Sequence, residues 1–196
     1  MTACRILSLC LIGLLPFSFS NVHSQTPARF LAWSPSPIGS NDENVAPGLK
    51  LARQITEVEI VEFLVEGKEI NIAEAFSAPD DFLRMMSFKV KNSSDRQMSR
   101  IQLTLIVPDE KRHSPQIIYC YGCNKEQGEK GIAPGEVVEL TMPGGGLYDF
   151  VKTKLAEKGV TVVQRVEISH MYVHFPDGPV LFSGCIKTTD RRNACL

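Results

Sequence analysis

Apolar and polar residues alternate with a period of two over much of the chain beyond residue 55, which is the pattern of a β-strand with one buried face. One stretch has apolar residues at Phe82, Met86, Phe88 and Val90, and another has them at Ile101, Leu103, Leu105 and Val107. The residues between them, 92–96, are polar and small, as in a turn. The two stretches are therefore predicted to pair as a β-hairpin.

β-Branched and aromatic residues predict further strands over residues 57–65, 116–120, 137–142, 161–175 and 180–186. The last two flank a Pro-Asp-Gly-Pro turn. The apolar pattern changes phase after Ile60 in the first of these strands and after Ile168 in the fourth. Each change of phase predicts a β-bulge or a strand that is buried on both faces.

One short helix interrupts the strands. Its apolar positions i, i+3, i+4 and i+8 are Leu147, Phe150, Val151 and Leu155. Gly159 is placed to end the helix. About seven strands with hairpin spacing and little helix are typical of a two-sheet fold. The predicted fold class is all-β, an immunoglobulin-like antiparallel β-sandwich with one short helix.

The N-terminus has the pattern of a signal peptide. Arg5 precedes an apolar run over residues 6–19, and small residues follow, with cleavage expected after Ser20 or Ser24. We assign residues 1–24 to this segment. The run is shorter than the roughly 20 residues that a membrane-spanning helix needs, so no transmembrane segment is expected after cleavage.

Residues 25–54 carry four prolines and no apolar period, which predicts a flexible Pro-rich leader before a β-sandwich domain over 55–196. Trp33, the only tryptophan, lies in this leader and allows it to dock on the domain or on a partner. The whole chain has 21 basic and 22 acidic residues. Without a basic excess, no nucleic acid partner is expected.

Three motifs resemble those of a known kind of domain: the strand end at Phe88–Asp95, the turn at Ala133–Glu136 and the hairpin at Phe175–Gly178. They resemble the immunoglobulin-like domains of secreted bacterial proteins, of which FxLYD-like domains are one sort. The resemblance spans roughly residues 56–185 and rests on turn chemistry. It implies the fold and a secreted or periplasmic location, and it implies no catalytic residue.

Four cysteines follow the signal peptide, an even number that predicts disulfides in an oxidising compartment: Cys120, Cys123, Cys185 and Cys195. The first two can join only if the chain turns at the intervening Tyr-Gly dipeptide, and the last two would then pair. The crossed pairings stay open. The C-x-x-C pair also allows a thiol–disulfide redox site or a thiolate-bound zinc ion.

His170, Tyr172 and His174 share one face of the predicted strand 161–175. Four residues of strand span about 13 Å, too far for both imidazoles to bind one ion, so no metal site is expected. The three side chains are predicted to face outward, where they either contact a partner or are simply solvated. Asp80 and Asp81 are interpreted as part of a turn.

The chain has no serine hydrolase or zinc protease motif. We therefore expect a non-enzymatic module, binding or structural, without a cofactor and with an envelope or extracellular protein as its partner. One alternative is a thiol–disulfide or metal-binding protein that uses Cys120 and Cys123. Another is an inhibitor or adhesion module that offers an edge strand or loop to a protein.

Overall fold

The computed structural model describes residues 28–33, 49–51, 55–108, 115–178, 180–183 and 186–188. The predicted signal peptide lies outside these residues, and so do Cys185 and Cys195. Within them the elements follow in the order β1 (Ala28–Trp33), β2 (Leu49–Leu51), β3 (Ile55–Val65), β4 (Lys68–Glu69), β5 (Ala75–Ser77), α1 (Phe82–Met85), β6 (Met86–Asn92), β7 (Arg100–Ile106), β8 (Gln116–Tyr121), α2 (Lys125–Lys130), β9 (Val137–Thr141), α3 (Leu147–Glu157), β10 (Arg165–His174), β11 (Val180–Ser183) and β12 (Ile186–Thr188).

The described strands form one curled sheet in the order β12-β3-β6-β9-β8-β7-β10-β1-β5. Strand β11 pairs with β10 and β2, and β4 pairs with β3. Strands β8 and β9 meet through a single residue pair, Cys120 with Thr141. This pair divides the sheet into a β6 half (β12, β3, β6 and β9) and a β7 half (β8, β7, β10, β1 and β5). The fold is therefore mostly β with few helices, as predicted.

The sheet is mixed, whereas an antiparallel sandwich with one short helix was predicted. β1 runs parallel to β10, β2 to β11 and β12 to β3, although the central pairs are antiparallel. The described residues also form α1 and α2 beside the predicted α3. The parallel strands lie towards the two ends of the chain, and their partners are remote in sequence. Hairpin spacing predicts only antiparallel neighbours, so it does not predict these pairs.

The predicted hairpin between β6 and β7 is also wrong. β6 pairs with β3 and β9, whereas β7 pairs with β8 and β10, and Phe82 begins α1 instead of a strand. The link over residues 93–99 crosses from one half of the sheet to the other. The fully buried Asn92 holds this link, because its amide donates to the carbonyls of Arg96 (2.8 Å) and Ile132 (3.0 Å). Its Oδ1 accepts from the backbone N–H of Ser94 at 3.0 Å.

Both predicted changes of phase coincide with irregular pairing. The register shifts between Ile60 and Glu62 on β3, and between Ile168 and His170 on β10. The predicted hairpin of β10 and β11 is also confirmed, with Tyr172 opposite Phe182. A bulge lets each strand keep apolar residues facing the core although its alternation changes phase.

Helix α3 spans Leu147–Glu157 and is followed by Gly159 at φ +76°, as its apolar spacing predicts. Val151 and Leu155 are buried. Phe150 is instead 56% exposed, so the buried stripe is narrower than expected.

Ala28–Trp33 lies in the segment that was expected to be a flexible leader, and there the expectation is wrong. The strand pairs with β10 and β5, and both Arg29 and Leu31 are fully buried. Phe30, between them, is 38% exposed. In this strand an arginine faces inward and a phenylalanine faces outward, which reverses the usual pattern of a half-buried strand. The strand is therefore not recognisable in a sequence segment that is rich in proline.

The two halves of the sheet contribute to a single hydrophobic core. Phe88 on β6 contacts Tyr119 on β8 with ring centroids 4.9 Å apart, and Phe63 on β3 packs edge-on against Phe88 at 5.8 Å. The hydroxyl of Tyr119 donates to the carbonyl of Leu83, which supplies the partner that a buried phenol needs. None of the helices in the described ranges is long and apolar enough to span a membrane.

Candidate functional site

The register of the β7 half brings two groups of predicted site residues onto one face. Cys120 lies opposite Gln102, Gln102 opposite Tyr172, and Tyr172 opposite Phe182. The neighbouring rows place Ile118, Thr104 and His170 together, and Arg100 beside His174. We call this surface the outer face; it comprises Arg100, Gln102, Thr104, Ile118, Cys120, His170, Tyr172, His174 and Phe182. Directly opposed residues share a face, so the outer face follows from the pairing alone.

An aromatic cluster occupies the middle of the outer face. The ring of His170 lies 5.2 Å from that of Tyr172 and 5.1 Å from that of Phe182, and the latter two rings are 4.9 Å apart. His170 lies on this face but is only 2% exposed, so the prediction that it is open to a partner or to solvent is wrong. Tyr172 and His174 are half-buried. Of the three residues predicted to form a contact face, only Tyr172 and His174 are accessible enough to contact a partner.

Burial also sets the charge of His170. It lowers the pKa of this imidazole to about 4, because a charged ring would lose its hydration in the cluster. Nδ1 lies 3.0 Å from the hydroxyl of Ser169, which is itself buried. His170 is therefore neutral at pH 7 and packs as an aromatic residue.

Cys120 and Cys123 form a disulfide at the edge of the outer face, with Cα atoms 5.9 Å apart. The turn between them is the one that the Tyr-Gly dipeptide predicts, and Gly122 adopts φ +82°. A Cβ at this position would lie 2.2 Å from the carbonyl oxygen of Ser99. Glycine is therefore required both by the backbone angle and by the close approach.

The two cysteines differ in exposure. Cys120 at the end of β8 is 4% exposed, whereas Cys123 is exposed. Helix α2 begins directly after the pair, and the Asn124 side chain caps it by accepting from the N–H of Gln127 at 2.8 Å. While they are bonded to each other, the two sulfurs have no thiolate to offer a metal ion. In the described ranges, no group of three or more His, Cys, Asp or Glu could hold one.

Arg100 lies beside Gly122, in the turn that the disulfide closes. Its Nη2 donates to Oε1 of Gln102 at 2.9 Å, and Gln102 is the residue directly opposite Cys120. The Nε of Arg100 is buried and has no hydrogen-bond partner. The pKa of His174, opposite Arg100, is lowered by burial and then by this positive charge. The guanidinium thus places a fixed positive charge on the outer face.

A second site is a cleft of about 400 Å³ beside α3, which we call the α3 cleft. Apolar side chains form its floor: Leu83, Val151, Leu155, Val160 and Val163. Polar side chains form its rim: Asp80, Asp81, Tyr148, Lys152 and Thr161. Asp80 and Asp81 precede α1, whereas Tyr148 and Lys152 belong to successive turns of α3, so the cleft is lined by segments that are remote in sequence.

Arg29 does not line the α3 cleft but binds two residues that do. Its fully buried guanidinium donates through Nη2 to Oδ1 of Asp80 and through Nη1 to the carbonyl of Val163, and it lies 5.4 Å from the centre of the Phe82 ring. Two cleft residues, Asp80 and Val163, are thereby tied to strand β1. This buried cation holds the rim in place.

Tyr148 is one of the hydrogen-bond donors of the rim, beside Lys152 and Thr161. Burial raises its pKa first, and the charge of Asp81 raises it further. The phenol therefore stays protonated at pH 7 and is available to donate. The sequence prediction missed this cleft, although Tyr148 and Lys152 at i and i+4 beside the apolar Val151 and Leu155 were a readable signal.

No family model, curated protein or solved structure matches this chain. The resemblance to secreted immunoglobulin-like domains accordingly stays a prediction.

Proposed function

We propose that this protein is a non-enzymatic, extracytoplasmic binding module and that the α3 cleft holds its ligand. The observation that carries the proposal is the combination of an apolar floor with a few convergent polar groups in a volume of about 400 Å³. Sites for small ligands and single peptide side chains usually have volumes of about 300–1,000 Å³ and this mixed lining.

The charges on the rim indicate what kind of ligand suits the cleft. Asp80 and Asp81 supply two carboxylates, Lys152 supplies an ammonium group, and Tyr148 supplies a hydroxyl that can donate a hydrogen bond. An apolar side chain fits the floor, while a backbone carbonyl or carboxylate fits Tyr148 and Lys152 and a basic group fits the carboxylates. We infer a peptide segment of an envelope or extracellular protein that carries an apolar residue next to a basic one.

The location and the finer fold belong to the same proposal. The signal-peptide pattern over residues 1–24 supports export. An immunoglobulin-like sandwich is supported by the division of the sheet into two halves that share one core and meet through a single residue pair. A module of this kind acts by contact and needs no reacting group.

The test is amide NMR of the full chain titrated with short capped peptides that pair Leu or Phe with Lys. We expect shifts at Tyr148, Lys152 and Thr161, and about fivefold weaker binding by Tyr148→Ala. Phe150→Ala is the matched control, because this aromatic residue lies on the same helix but is 56% exposed and outside the cleft. Its affinity should equal that of the wild type.

Three results would contradict the proposal. The first is the absence of shifts with every peptide of the panel. The second is an equal loss of affinity in Tyr148→Ala and Phe150→Ala. The third is shifts confined to the edge strands β4 or β5, which would favour the inhibitor or adhesion alternative. Catalytic turnover of a hydrolase substrate by the purified protein would refute its non-enzymatic part.

A further inference from the structure

We propose that the Cys120–Cys123 disulfide is an exchange site that accepts two electrons from an external dithiol, with the incoming thiolate attacking the sulfur of Cys123. This activity lies on the outer face and is independent of the α3 cleft. It rests on the unequal exposure of the two cysteines, on the guanidinium of Arg100 that is hydrogen-bonded to the residue opposite Cys120, and on the short loop that the disulfide closes.

The direction of attack follows from access. A thiolate must reach the sulfur that it attacks, and the other sulfur is the leaving group. Cys123 is exposed, whereas Cys120 is 4% exposed and lies in the row of Gln102 and Tyr172. Attack at Cys123 with departure of Cys120 is therefore the favoured course.

Arg100 favours that departure. Its guanidinium is bonded to Gln102, the residue opposite Cys120, and its buried Nε has no partner. A nearby positive charge stabilises a thiolate and so lowers the pKa of its thiol. A leaving thiol of lower pKa departs faster in exchange. Arg100 is thus a positioning residue that prepares the outer face for negative charge on Cys120.

The disulfide is also dispensable for the fold around it. It joins residues only three apart in sequence, and a loop this short constrains the unfolded chain little. Strand β8 is held independently by six residue pairs with β7 and by Tyr119 in the core. The bond can therefore open while the sheet stays intact.

The electron balance is that of dithiol–disulfide exchange. The external thiolate forms a bond to Sγ of Cys123, and the bond between Cys123 and Cys120 breaks to release the Cys120 thiolate. The second thiolate of the reductant then attacks the reductant's first sulfur, which is bonded to Sγ of Cys123 in the mixed disulfide. This step closes the disulfide of the reductant and releases the Cys123 thiolate. The reductant ends as a disulfide, and the two cysteines take up the two protons that it lost.

The first experiment equilibrates the full chain with mixtures of reduced and oxidised dithiothreitol under native conditions, followed by alkylation and peptide mass analysis. Tryptic cleavage separates the peptide that carries Cys120 and Cys123 from Cys185 and Cys195. We expect reversible reduction with the amide NMR spectrum of β7 and β8 preserved. Reduction that occurs only in denaturant, or that unfolds the domain, would overturn the proposal.

The second experiment compares the single variants Cys120→Ser and Cys123→Ser. The remaining thiol, Cys123 in the first and Cys120 in the second, is treated with an aromatic disulfide reagent and followed peptide by peptide. We expect Cys123 to react at least about tenfold faster, since reaction follows access. Equal rates, or a faster Cys120, would refute the assigned direction of attack.

The third experiment tests Arg100. Arg100→Gln should slow reduction by dithiothreitol about three- to tenfold and raise the pKa of the Cys120 thiol measured in the Cys123→Ser background. Arg100→Lys should restore most of the rate because it keeps the charge. Arg84→Gln, an exposed arginine on α1, is the control. An unchanged rate and pKa in Arg100→Gln would remove Arg100 from the proposal.

Discussion

The guanidinium of Arg29 has no exposure to solvent, whereas the side chain of its partner, Asp80, is 81% exposed. The two residues are 51 positions apart in sequence. A buried cation is tolerated only where it is paired, so the carboxylate of Asp80 compensates the charge that β1 carries into the domain. This pair fastens the first described strand to the rim of the α3 cleft.

Asp80→Asn should therefore destabilise the protein more than its exposure suggests. The variant keeps an oxygen acceptor at position 80 but removes its negative charge, so Arg29 stays charged and buried with only neutral acceptors, and we expect a loss of about 2 kcal/mol in the free energy of unfolding. Urea unfolding at pH 7 measures it. Asp81→Asn, its exposed neighbour, should change stability by less than about 0.5 kcal/mol. Equal effects of the two substitutions would show that the ion pair contributes nothing.

Gly122→Ala should be much more costly than Gly135→Ala, although both glycines have φ near +80°. At Gly122 the new Cβ would meet the Ser99 carbonyl oxygen at 2.2 Å, whereas at Gly135 nothing lies within 4 Å. We expect losses of about 3 kcal/mol and about 1 kcal/mol, the second being the cost of the left-handed backbone alone. Thermal and urea unfolding test the difference. Similar losses would argue against the close approach of this turn to β7.

His170 should make stability fall in mild acid. Its pKa is about 4 in the folded state against an ordinary value near 6.5, so the unfolded chain binds the proton first as the pH falls. The stabilisation is complete above pH 6.5 and is lost between pH 6.5 and 4; the difference of 2.5 pH units corresponds to about 3 kcal/mol. His174 acts in the same direction, because burial and Arg100 lower its pKa as well.

The measurement is urea unfolding of the wild type and of His170→Gln at pH 7, 5.5 and 4. The variant has no imidazole at this position, so the stability difference between the two proteins should shrink by about 3 kcal/mol from pH 7 to pH 4. Carboxylates elsewhere affect both proteins alike and cancel. Parallel pH profiles would mean that position 170 does not bind the proton.

Asn92→Asp should loosen the crossing between the halves of the sheet. The substitution keeps the acceptor for Ser94 but replaces the amide that donates to the Arg96 and Ile132 carbonyls. We expect a loss of about 3 kcal/mol at pH 7, because a buried carboxylate then faces the carbonyl oxygens of Arg96 and Ile132. Asn71→Asp, at an exposed amide bonded to Glu74, is the control and should cost less than about 1 kcal/mol. Chemical denaturation compares them, and equal losses would contradict a role for Asn92 in the crossing.

The local pattern of the chain determined much of the secondary structure. Alternation with a period of two, together with β-branched and aromatic residues, placed β3, β7, β8, β9 and β10, and changes of phase placed both bulges. The helical spacing of apolar residues placed α3, and the Tyr-Gly dipeptide allowed the turn that joins Cys120 to Cys123. These features are readable because each depends on neighbours within a few residues.

Only the tertiary structure decided which elements meet. Alternation shows that β6 and β7 each bury a face, but it does not say that they lie in different halves of the sheet. Arg29 reads as a solvated residue among prolines until Asp80 and the Val163 carbonyl surround it. Cys120 and Tyr172 likewise share the outer face only because both strands pair with Gln102 on β7. A periodic pattern reports that a side chain is buried, whereas its partner is selected by packing and pairing across the whole chain.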